Sequence, residues 1–465
     1  MPPPPVPRRW YDRLPHPVVM LALILAAVAA LSYVLPAGAF DRVEVDGRLR
    51  VVPGSYRLVE PHPVGLLELL TSLPRGFAAA SPVVYVILAS GIMFGALERT
   101  RAVENAVGAL VRRVGEAGRA RVVVAMTFAY GLLGVVVGYE NNIAMVPLAA
   151  VLALALGGDL VLAAGMSVGA ITVGFGVSPF NPYTVGIGHQ LAGLPVFSGW
   201  GLRAGLCVGA LGGLAWWNLR YYRRLLAGGA GLAGGLDAEG LRLARPLADY
   251  RVGVRDAAVL AVFAAGLAVM LWGVFARGWF LDEISAVFLA TAVAAGLVGG
   301  LTPDGLAAEA LRSVAVVAPG AFLVGLANAT RVVMEAGRIG DTITHALAGG
   351  LAGAPRAVAA AGMAGAQSLI NFLIPSGSGQ ALATLPVMLP AGDLLGLTRQ
   401  VTVLAFQLGD GVTNLANPTL GGLVAMLALC RVPFDRWLRF ILPYVAALGL
   451  AGVLTLLGAV WLGYS

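Results

Sequence analysis

Four short polar segments interrupt otherwise apolar stretches of the chain, and their side chains are suited to binding a small solute or an ion. We call them the first tip (Tyr139–Asn142), the first break (Ser178–Pro182), the second tip (Ser376–Gln380) and the second break (Asp410–Pro418). Their amide and hydroxyl oxygens can ligate a cation, and a half-helix that starts at such a segment can hold a carboxylate at its first N–H groups. The chemistry they favour is reversible binding of a polar solute.

The candidate substrate ligands are the amide and hydroxyl side chains of these segments. We predict one site in two halves: Asn141, Asn142, Ser178, Asn181 and Thr184 in one, and Ser376, Ser378, Gln380, Thr413, Asn414 and Asn417 in the other. The coupling ion is expected to be H⁺ or Na⁺, the latter near Asn141, Asn181, Ser378 and Asn417, and no further cofactor is expected. The alternative for each segment is a helix kink held by its own capping side chains.

Two acids, Glu140 and Asp410, lie inside these segments and are candidates for charge or ion coupling. A carboxylate within a membrane span costs several kcal/mol (about 3 on insertion scales), so it is a functional hypothesis by default. The competing interpretation is a buried hydrogen-bonded acid, or a tip that reaches water. Because the four segments contain two acids and no arginine, they favour a zwitterionic or cationic substrate, although helix N-termini could still bind a dicarboxylate.

The elements that must position these residues are membrane helices. Hydrophobic residues make up 58% of the 465 residues and charged residues 12%, which excludes a set of ordinary soluble domains. Many apolar runs approach the roughly 20 residues that a 30 Å hydrocarbon core requires. The sequence therefore predicts an all-α, multi-pass membrane protein with the lipid bilayer as its solvent.

The distribution of arginine predicts the orientation of the chain. All 31 basic residues are arginine, and segments 1–17, 99–121, 220–255, 302–312 and 431–439 hold 20 of them. An excess of basic residues marks cytoplasmic loops, so the N-terminus is expected in the cytoplasm of an inner (plasma) membrane. Topology thus explains the net charge of +7, and no nucleic-acid partner is expected.

The second half of the sequence repeats polar features of the first. Gly158–Asp159 recurs as Gly392–Asp393, and Asn181–Pro182 recurs as Asn417–Pro418. One additional crossing, by a connecting helix over 257–276, would invert the second repeat relative to the first. Inverted repeats with a binding site at the membrane midplane are a recurrent design of secondary transporters.

This pattern predicts the domain organisation. We expect a first inverted repeat over 1–225, a cytoplasmic linker over 226–256, the connecting helix and a second repeat over 284–465. Each repeat is expected to contain one re-entrant hairpin and one broken helix, because proline and glycine unwind helices and irregular backbone at membrane depth must be buried in protein. The expected hairpins are 122–158 and 355–390, and the expected broken helices are 161–194 and 398–430.

An amphipathic segment is expected before each hairpin. The candidates are Thr100–Ala120 and Arg331–Gly350, which we predict to be interfacial arms on opposite faces of the membrane.

The motifs around the four segments resemble those of YfcC-type carriers, which are related to DcuC C4-dicarboxylate carriers and ArcD-type basic amino-acid antiporters. The resemblance rests on Gly138–Asn142, Asn181–Thr184, Ile374–Ala381 and Gln407–Asn414, and it extends over nearly the whole chain. It implies the ion-transporter superfamily architecture, a homodimer in which a scaffold holds the partner and a transport domain moves as an elevator. One departure is Glu140–Asn141, where many relatives are expected to carry an acidic pair.

The function expected is secondary active transport, by exchange or ion-coupled symport, of small amino acids and in particular basic ones. The alternative substrate is a C4-dicarboxylate or another small organic anion. A channel is a further alternative, but it would need a continuous polar stripe that the sequence lacks. An enzyme is not expected, because the chain has neither a metalloprotease motif nor a P-loop and has only four histidines.

Overall fold

The structure is a computed structural model that describes residues 17–45, 48–136, 138–239 and 241–465, so the predicted cytoplasmic segment 1–16 lies outside it. Six helices of the described part are long and apolar enough to cross a membrane: Ser81–Thr100, Ala102–Val136, Val254–Val274, Leu281–Val298, Pro303–Ala336 and Phe434–Leu462. The predicted all-α membrane fold is confirmed in its main features.

Two small sheets depart from that prediction. Strands β1 (Gly38–Ala39) and β4 (Arg57–Leu58) pair antiparallel, as do β2 (Arg42–Val45) and β3 (Arg48–Val51). They lie in the segment between the first two helices, where alternating charged and β-branched residues favour strands.

The helices of the first half are α1 (Pro17–Val34), α2 (Leu66–Ala79), α3 (Ser81–Thr100), α4 (Ala102–Val136), α5 (Val146–Ala155), α6 (Leu160–Ala164), α7 (Ala170–Gly176), α8 (Ile187–Ala192) and α9 (Trp200–Leu226). A 3₁₀ turn covers Glu140–Met145, and π-helical turns cover Gly165–Gly169 and Pro182–Gly186. The second half contains α10 (Val254–Arg277), α11 (Leu281–Val298), α12 (Pro303–Ala336), α13 (Gly340–Gly349), α14 (Arg356–Asn371), α15 (Gly377–Leu394), α16 (Arg399–Thr413), α17 (Gly421–Leu429) and α18 (Phe434–Leu462).

Two long helical stretches, α2 with α3 and the antiparallel α12, define the two faces of the molecule. Helices α2 and α3 follow one another and run antiparallel to α12, with Gly95 packed against Ser313 and Gly76 against Ala329. The apolar run of this stretch predicts a short helix near 63–72, whereas α2 spans Leu66–Ala79.

One end of α12 contacts the linker and the other end contacts the β-strand segment. Glu309 shares a cavity with Asp237 of the linker, whereas Glu335 shares a cavity with Arg42 of β2. Twenty-six residues of helix separate these two glutamates, which corresponds to about 39 Å at 1.5 Å per residue and exceeds the ~30 Å hydrocarbon thickness. We call the two ends of the molecule the linker face and the strand face.

The two predicted arms begin later in the structure than in the sequence pattern, because Thr100 ends α3 and Arg331 lies inside α12. The first arm is the start of α4, before the non-helical Gly115, and Arg112 donates to the carbonyl of Ala248 in the linker. The second arm is α13, where Asp341 accepts from the backbone N–H of Phe40. The first arm therefore packs on the linker face and the second on the strand face.

The order of elements after each long crossing is similar, but one sequence match is not equivalent in structure. Asp159 caps α6 by accepting from Leu162 N, whereas Asp393 lies in the last turn of α15 and pairs with Arg399. Thr398 caps the corresponding helix, α16. The match of Gly158–Asp159 to Gly392–Asp393 is therefore wrong as an alignment of the two halves.

Glycines allow the broken helices to cross in backbone contact. A Cβ atom built on Gly176, at the end of α7, would lie 2.7 Å from Cα of Gly411 in α16. A Cβ on Gly409 would lie 2.5 Å from the carbonyl oxygen of Ala364 in α14, so the second hairpin also packs closely on α16. Small residues at helix crossings are the usual means of close packing in membranes.

We therefore expect Gly176→Ala to destabilise the fold by about 1–3 kcal/mol, the range typical of overpacking, because backbone rather than a flexible side chain must move. Gly209→Ala is the matched control, since a Cβ on Gly209 meets nothing within 4 Å. The unfolding midpoints of the two variants are measured by heating the protein in detergent and quantifying the remaining folded protein by size-exclusion chromatography. Equal midpoints for the two variants would contradict the proposed crossing.

Candidate functional site

The first tip connects α4 to α5 and contacts both broken helices. The Tyr139 hydroxyl lies 3.1 Å from the hydroxyl of Thr172 in α7, and the Tyr139 ring occupies the space beside Gly422 in α17. The Asn142 amide donates to the carbonyls of Leu133 and Gly138, which closes the turn from within. Glu140 is thereby presented at the junction of the two broken helices.

The first break interrupts a helix between Gly176 and Pro182, and Asn181 satisfies the backbone groups exposed there. Its Oδ1 accepts from the N–H groups of Tyr183 (2.8 Å) and Thr184 (3.3 Å), while its Nδ2 donates to the carbonyl of Phe175 (3.0 Å). One amide thus caps the half-helix on each side of the break, an arrangement that unwound helices require in lipid.

The second break lies between Thr413 and Gly421, so Asp410 and Gly411 remain helical, contrary to the predicted start of this segment. Asn417 accepts from the N–H of Thr419 and donates to the carbonyl of Asn371 in α14. The Asn371 amide in turn donates to the carbonyl of Asp410 (3.0 Å). The second hairpin is therefore joined to the second broken helix through side-chain amides.

The second tip also starts one turn earlier than predicted, since Ser376 caps α15 and the residues after it are helical. A Cβ on Gly377 would lie 2.6 Å from Cγ2 of Thr184 and 3.6 Å from Oδ2 of Asp410. The tip can approach the first broken helix and Asp410 this closely because Gly377 has no side chain. Gln380 points away from this junction and bonds to Gln367 within the hairpin.

A cavity of about 220 Å³ lies between the two tips and the second break, with Phe175 and Tyr183 from either side of the first break, and we call it the central cavity. Five of the predicted site residues line it: Glu140, Asn141, Ser376, Ser378 and Asn414. The other predicted residues lie behind it and shape it through hydrogen bonds or packing: Asn142, Ser178, Asn181, Thr184, Gln380, Asp410, Thr413 and Asn417. The structure thus brings the two predicted halves together around one space.

The titratable carboxyl groups at the central cavity are not matched by a basic residue among the described residues that line it. Glu140 lines it, none of the described lining residues is basic, and Asp410 is buried directly behind Gly377. Asp410 Oδ2 accepts from the Asn414 amide at 3.3 Å, while Oδ1 has no hydrogen-bond partner among the described residues. Thr184 Oγ1 and Asn371 Oδ1 are likewise buried without a donor. Such oxygens can accept from an ammonium group or ligate a hard cation.

A larger cavity of about 710 Å³ adjoins the central cavity on the side of the strand face, and we call it the vestibule. The two cavities share Asn328, Pro375, Ser376 and Gly421 as lining residues. Ion pairs cross or flank the vestibule: Arg42 with Asp341 at 2.8 Å and Arg331 with Glu335 at 3.1 Å. The second tip therefore stands between the central cavity and the vestibule.

Sequence reasoning missed three polar residues outside the four segments. Asn371 and Gln367 brace the second hairpin, and Gln407 donates to the carbonyl of Ser178 at 2.8 Å. Amide side chains in apolar membrane helices are themselves a signal of interhelical hydrogen bonds. His189 lies apart from the central cavity, where its Nδ1 accepts from Phe197 N and its Nε2 faces Gln400.

A polytopic helical fold with two interrupted helices and two tips meeting at a polar cavity is that of a membrane transporter. The chain belongs to the family described as DcuC: C4-dicarboxylate anaerobic carrier, which matches residues 14–461. It is therefore a carrier of small molecules in the lipid bilayer and not an enzyme, and the resemblance in its motifs is confirmed.

Two relatives show the same affiliation. The chain is 31% identical to "Putative basic amino acid antiporter YfcC" of Escherichia coli (strain K12), over 98% of both proteins. It is 28% identical to an uncharacterized protein of Haemophilus influenzae, over 87% of this chain and 80% of that one.

Two solved transporter structures align along most of the chain. MtrF of Neisseria gonorrhoeae, described within a class of antimetabolite efflux pumps, is 18% identical over 97% of this chain and 96% of its own, with a TM-score of 0.45. The YdaH transporter of Alcanivorax borkumensis is 19% identical over 97% and 99%, with the same TM-score.

The vestibule predicts one-sided access to the second tip. We expect a cysteine at Ser376, which is exposed, to react with a membrane-impermeant maleimide applied to the strand face. Ser90→Cys is the matched control because Ser90 is fully buried, and the native Cys207 and Cys430 are buried as well. The access route would be contradicted if Ser90→Cys were labelled as fast as Ser376→Cys. It would also be contradicted if Ser376→Cys reacted only with reagent applied to the linker face.

Proposed function

We propose that the protein is a secondary active transporter of small amino acids, basic ones in particular, working by exchange or ion-coupled symport. The observation that carries this proposal is the acidic character of the central cavity: Glu140 lines a space without a basic lining residue, and Asp410 is buried behind it. A cationic side chain or an α-ammonium group would neutralise these acids. The name of the Escherichia coli relative agrees with such a substrate.

Two helix N-termini at the central cavity provide for the α-carboxylate of the same substrate. Gly377 and Ser378 begin α15, and Gly421 and Gly422 begin α17, and all four line the cavity. The first N–H groups of a helix have no acceptor within it and carry about half a positive charge. An amino acid could therefore place its carboxylate at these termini and its ammonium group toward Glu140.

A C4-dicarboxylate is the second candidate substrate. The same two N-termini favour it, because each could hold one carboxylate without an arginine. The family description also names such a substrate. With this substrate Glu140 and Asp410 would have to be protonated, which would couple uptake to H⁺.

We propose further that the two halves are inverted repeats and that transport follows an elevator mechanism in a homodimer. The arms support the inversion, since the first contacts the linker and the second contacts the strand segment. In this arrangement α3, α12 and the arms belong to the scaffold, and the hairpins and broken helices move. The linker face would be cytoplasmic, in an inner membrane with the N-terminus inside, as the arginine distribution predicts.

We expect cysteines at Arg112 and Arg338, both exposed, to be labelled from opposite sides of oriented vesicles. The physical reason is that the two arms lie on the two faces separated by the length of α12. An impermeant maleimide, added before or after the vesicles are opened, measures sidedness. Labelling of both positions from one side would overturn the inverted topology while leaving the substrate proposal intact.

We expect Asp410→Asn to fold but to lose uphill transport of L-arginine in proteoliposomes, because the amide keeps the shape and removes the charge. Asp393→Asn is the matched control, since Asp393 is exposed and its ion pair among the described residues is with the exposed Arg399. Loss of more than about tenfold in the initial rate would correspond to about 1.4 kcal/mol. If Asp410→Asn retained full uphill transport, Asp410 would be a hydrogen-bonding acid without a role in coupling. If the unmodified protein took up succinate but not L-arginine, the dicarboxylate function would be favoured.

A further inference from the structure

Arg203 is a buried cation in the first turn of α9, 1% exposed. Among the described residues, no carboxylate is within ion-pair distance of it. Burying a guanidinium without a partner costs several kcal/mol, and a helix N-terminus adds an unfavourable dipole. A merely space-filling role would be served better by a neutral side chain.

The acceptors of Arg203 are all uncharged. Its Nε donates to Gln407 Oε1 at 3.0 Å, and its Nη1 donates to Gln400 Oε1 at 3.1 Å, to Ser198 O at 3.2 Å and to the Tyr464 hydroxyl at 2.7 Å. These bonds connect α9 with the start and the middle of α16 and with the C-terminal segment.

Because arginine can only donate, it fixes the orientation of the Gln407 amide. Oε1 of Gln407 must face Arg203, and Nε2 is left to donate to the carbonyl of Ser178 at 2.8 Å. Ser178 is the first residue of the first break, and its hydroxyl donates to Val135 O in the first hairpin and accepts from Phe180 N. Ser178 therefore joins the first break to two other elements. Its hydroxyl binds the first hairpin, and its carbonyl accepts from Gln407 in α16.

We propose that Arg203 is a positioning residue for the central cavity: through the Gln407 amide it fixes the backbone of the first break, and so the pose of the substrate. The expected effect of Arg203 on substrate binding rests on the proposed transport function. Its expected effect on the backbone of the first break does not depend on that function. Gln400 supplies the contrast. Its Oε1 also faces Arg203, but its Nε2 donates to the Ser198 hydroxyl, outside the site.

The test compares Gln407→Glu with Gln400→Glu, using Arg203→Lys as a third variant. Both glutamates place a carboxylate against Arg203, so both are expected to fold. Only Gln407→Glu loses the donor to Ser178 O and sets a second acceptor against that carbonyl. The Ser198 hydroxyl can itself donate to a glutamate at position 400. Arg203→Lys keeps the charge but lacks the planar fork that orients two amides.

The measurements are hydrogen exchange of the peptide that covers 177–184 and the KM for L-arginine. We expect Gln407→Glu and Arg203→Lys to speed exchange of that peptide and to raise KM about tenfold, the effect of losing one hydrogen bond to a charged group or a carbonyl. Gln400→Glu should change neither. Equal exchange in the two glutamate variants, or unchanged exchange in Arg203→Lys, would overturn the proposal. If the unmodified protein does not transport L-arginine, the proposed substrate fails, and the exchange result still decides the role of Arg203.

Discussion

The structure depends on satisfying backbone groups where helices are interrupted at membrane depth. Lipid offers no hydrogen bonds, so each exposed N–H or C=O costs several kcal/mol unless protein supplies a partner. Side-chain amides do this here: Asn181 serves both sides of the first break, Asn417 and Asn371 serve the second, and Gln407 holds the carbonyl of Ser178. An amide is suited to this task because it carries a donor and an acceptor on one group.

Close packing makes these amides effective. The broken helices cross at Gly176 and Gly411 with their backbones in contact, and Gly377 lets the second tip reach Thr184 and Asp410. With side chains at these positions, the elements would stand further apart and the amides would not span the gaps. The glycines therefore determine the dimensions of the central cavity, although they contribute no polar side chain to it.

The same geometry brings an acid and two helix N-termini to the cavity from different elements. The acid Glu140 comes from the first tip, whereas the N-termini of α15 and α17 bring partial positive charge from the second tip and the second break. The buried cation Arg203 is not part of the cavity lining and acts on the site through Gln407. Opposite charges thus reach one small space from different elements.

The sequence by itself determined the membrane class and the approximate positions of the four interruptions, with Glu140 in one of them, because charge and irregular backbone are costly in lipid and stand out in apolar sequence. Glu140 and Asn141 could be assigned to the site on that ground. Only the tertiary structure decided that Asp410 lies behind the cavity and that Asn371 and Gln407 brace it, since both amides sit in regular helices whose neighbours no local pattern reveals. The ends of the helices could not be predicted from the sequence either, because packing against neighbouring helices extends a helix past the apolar run from which it is predicted.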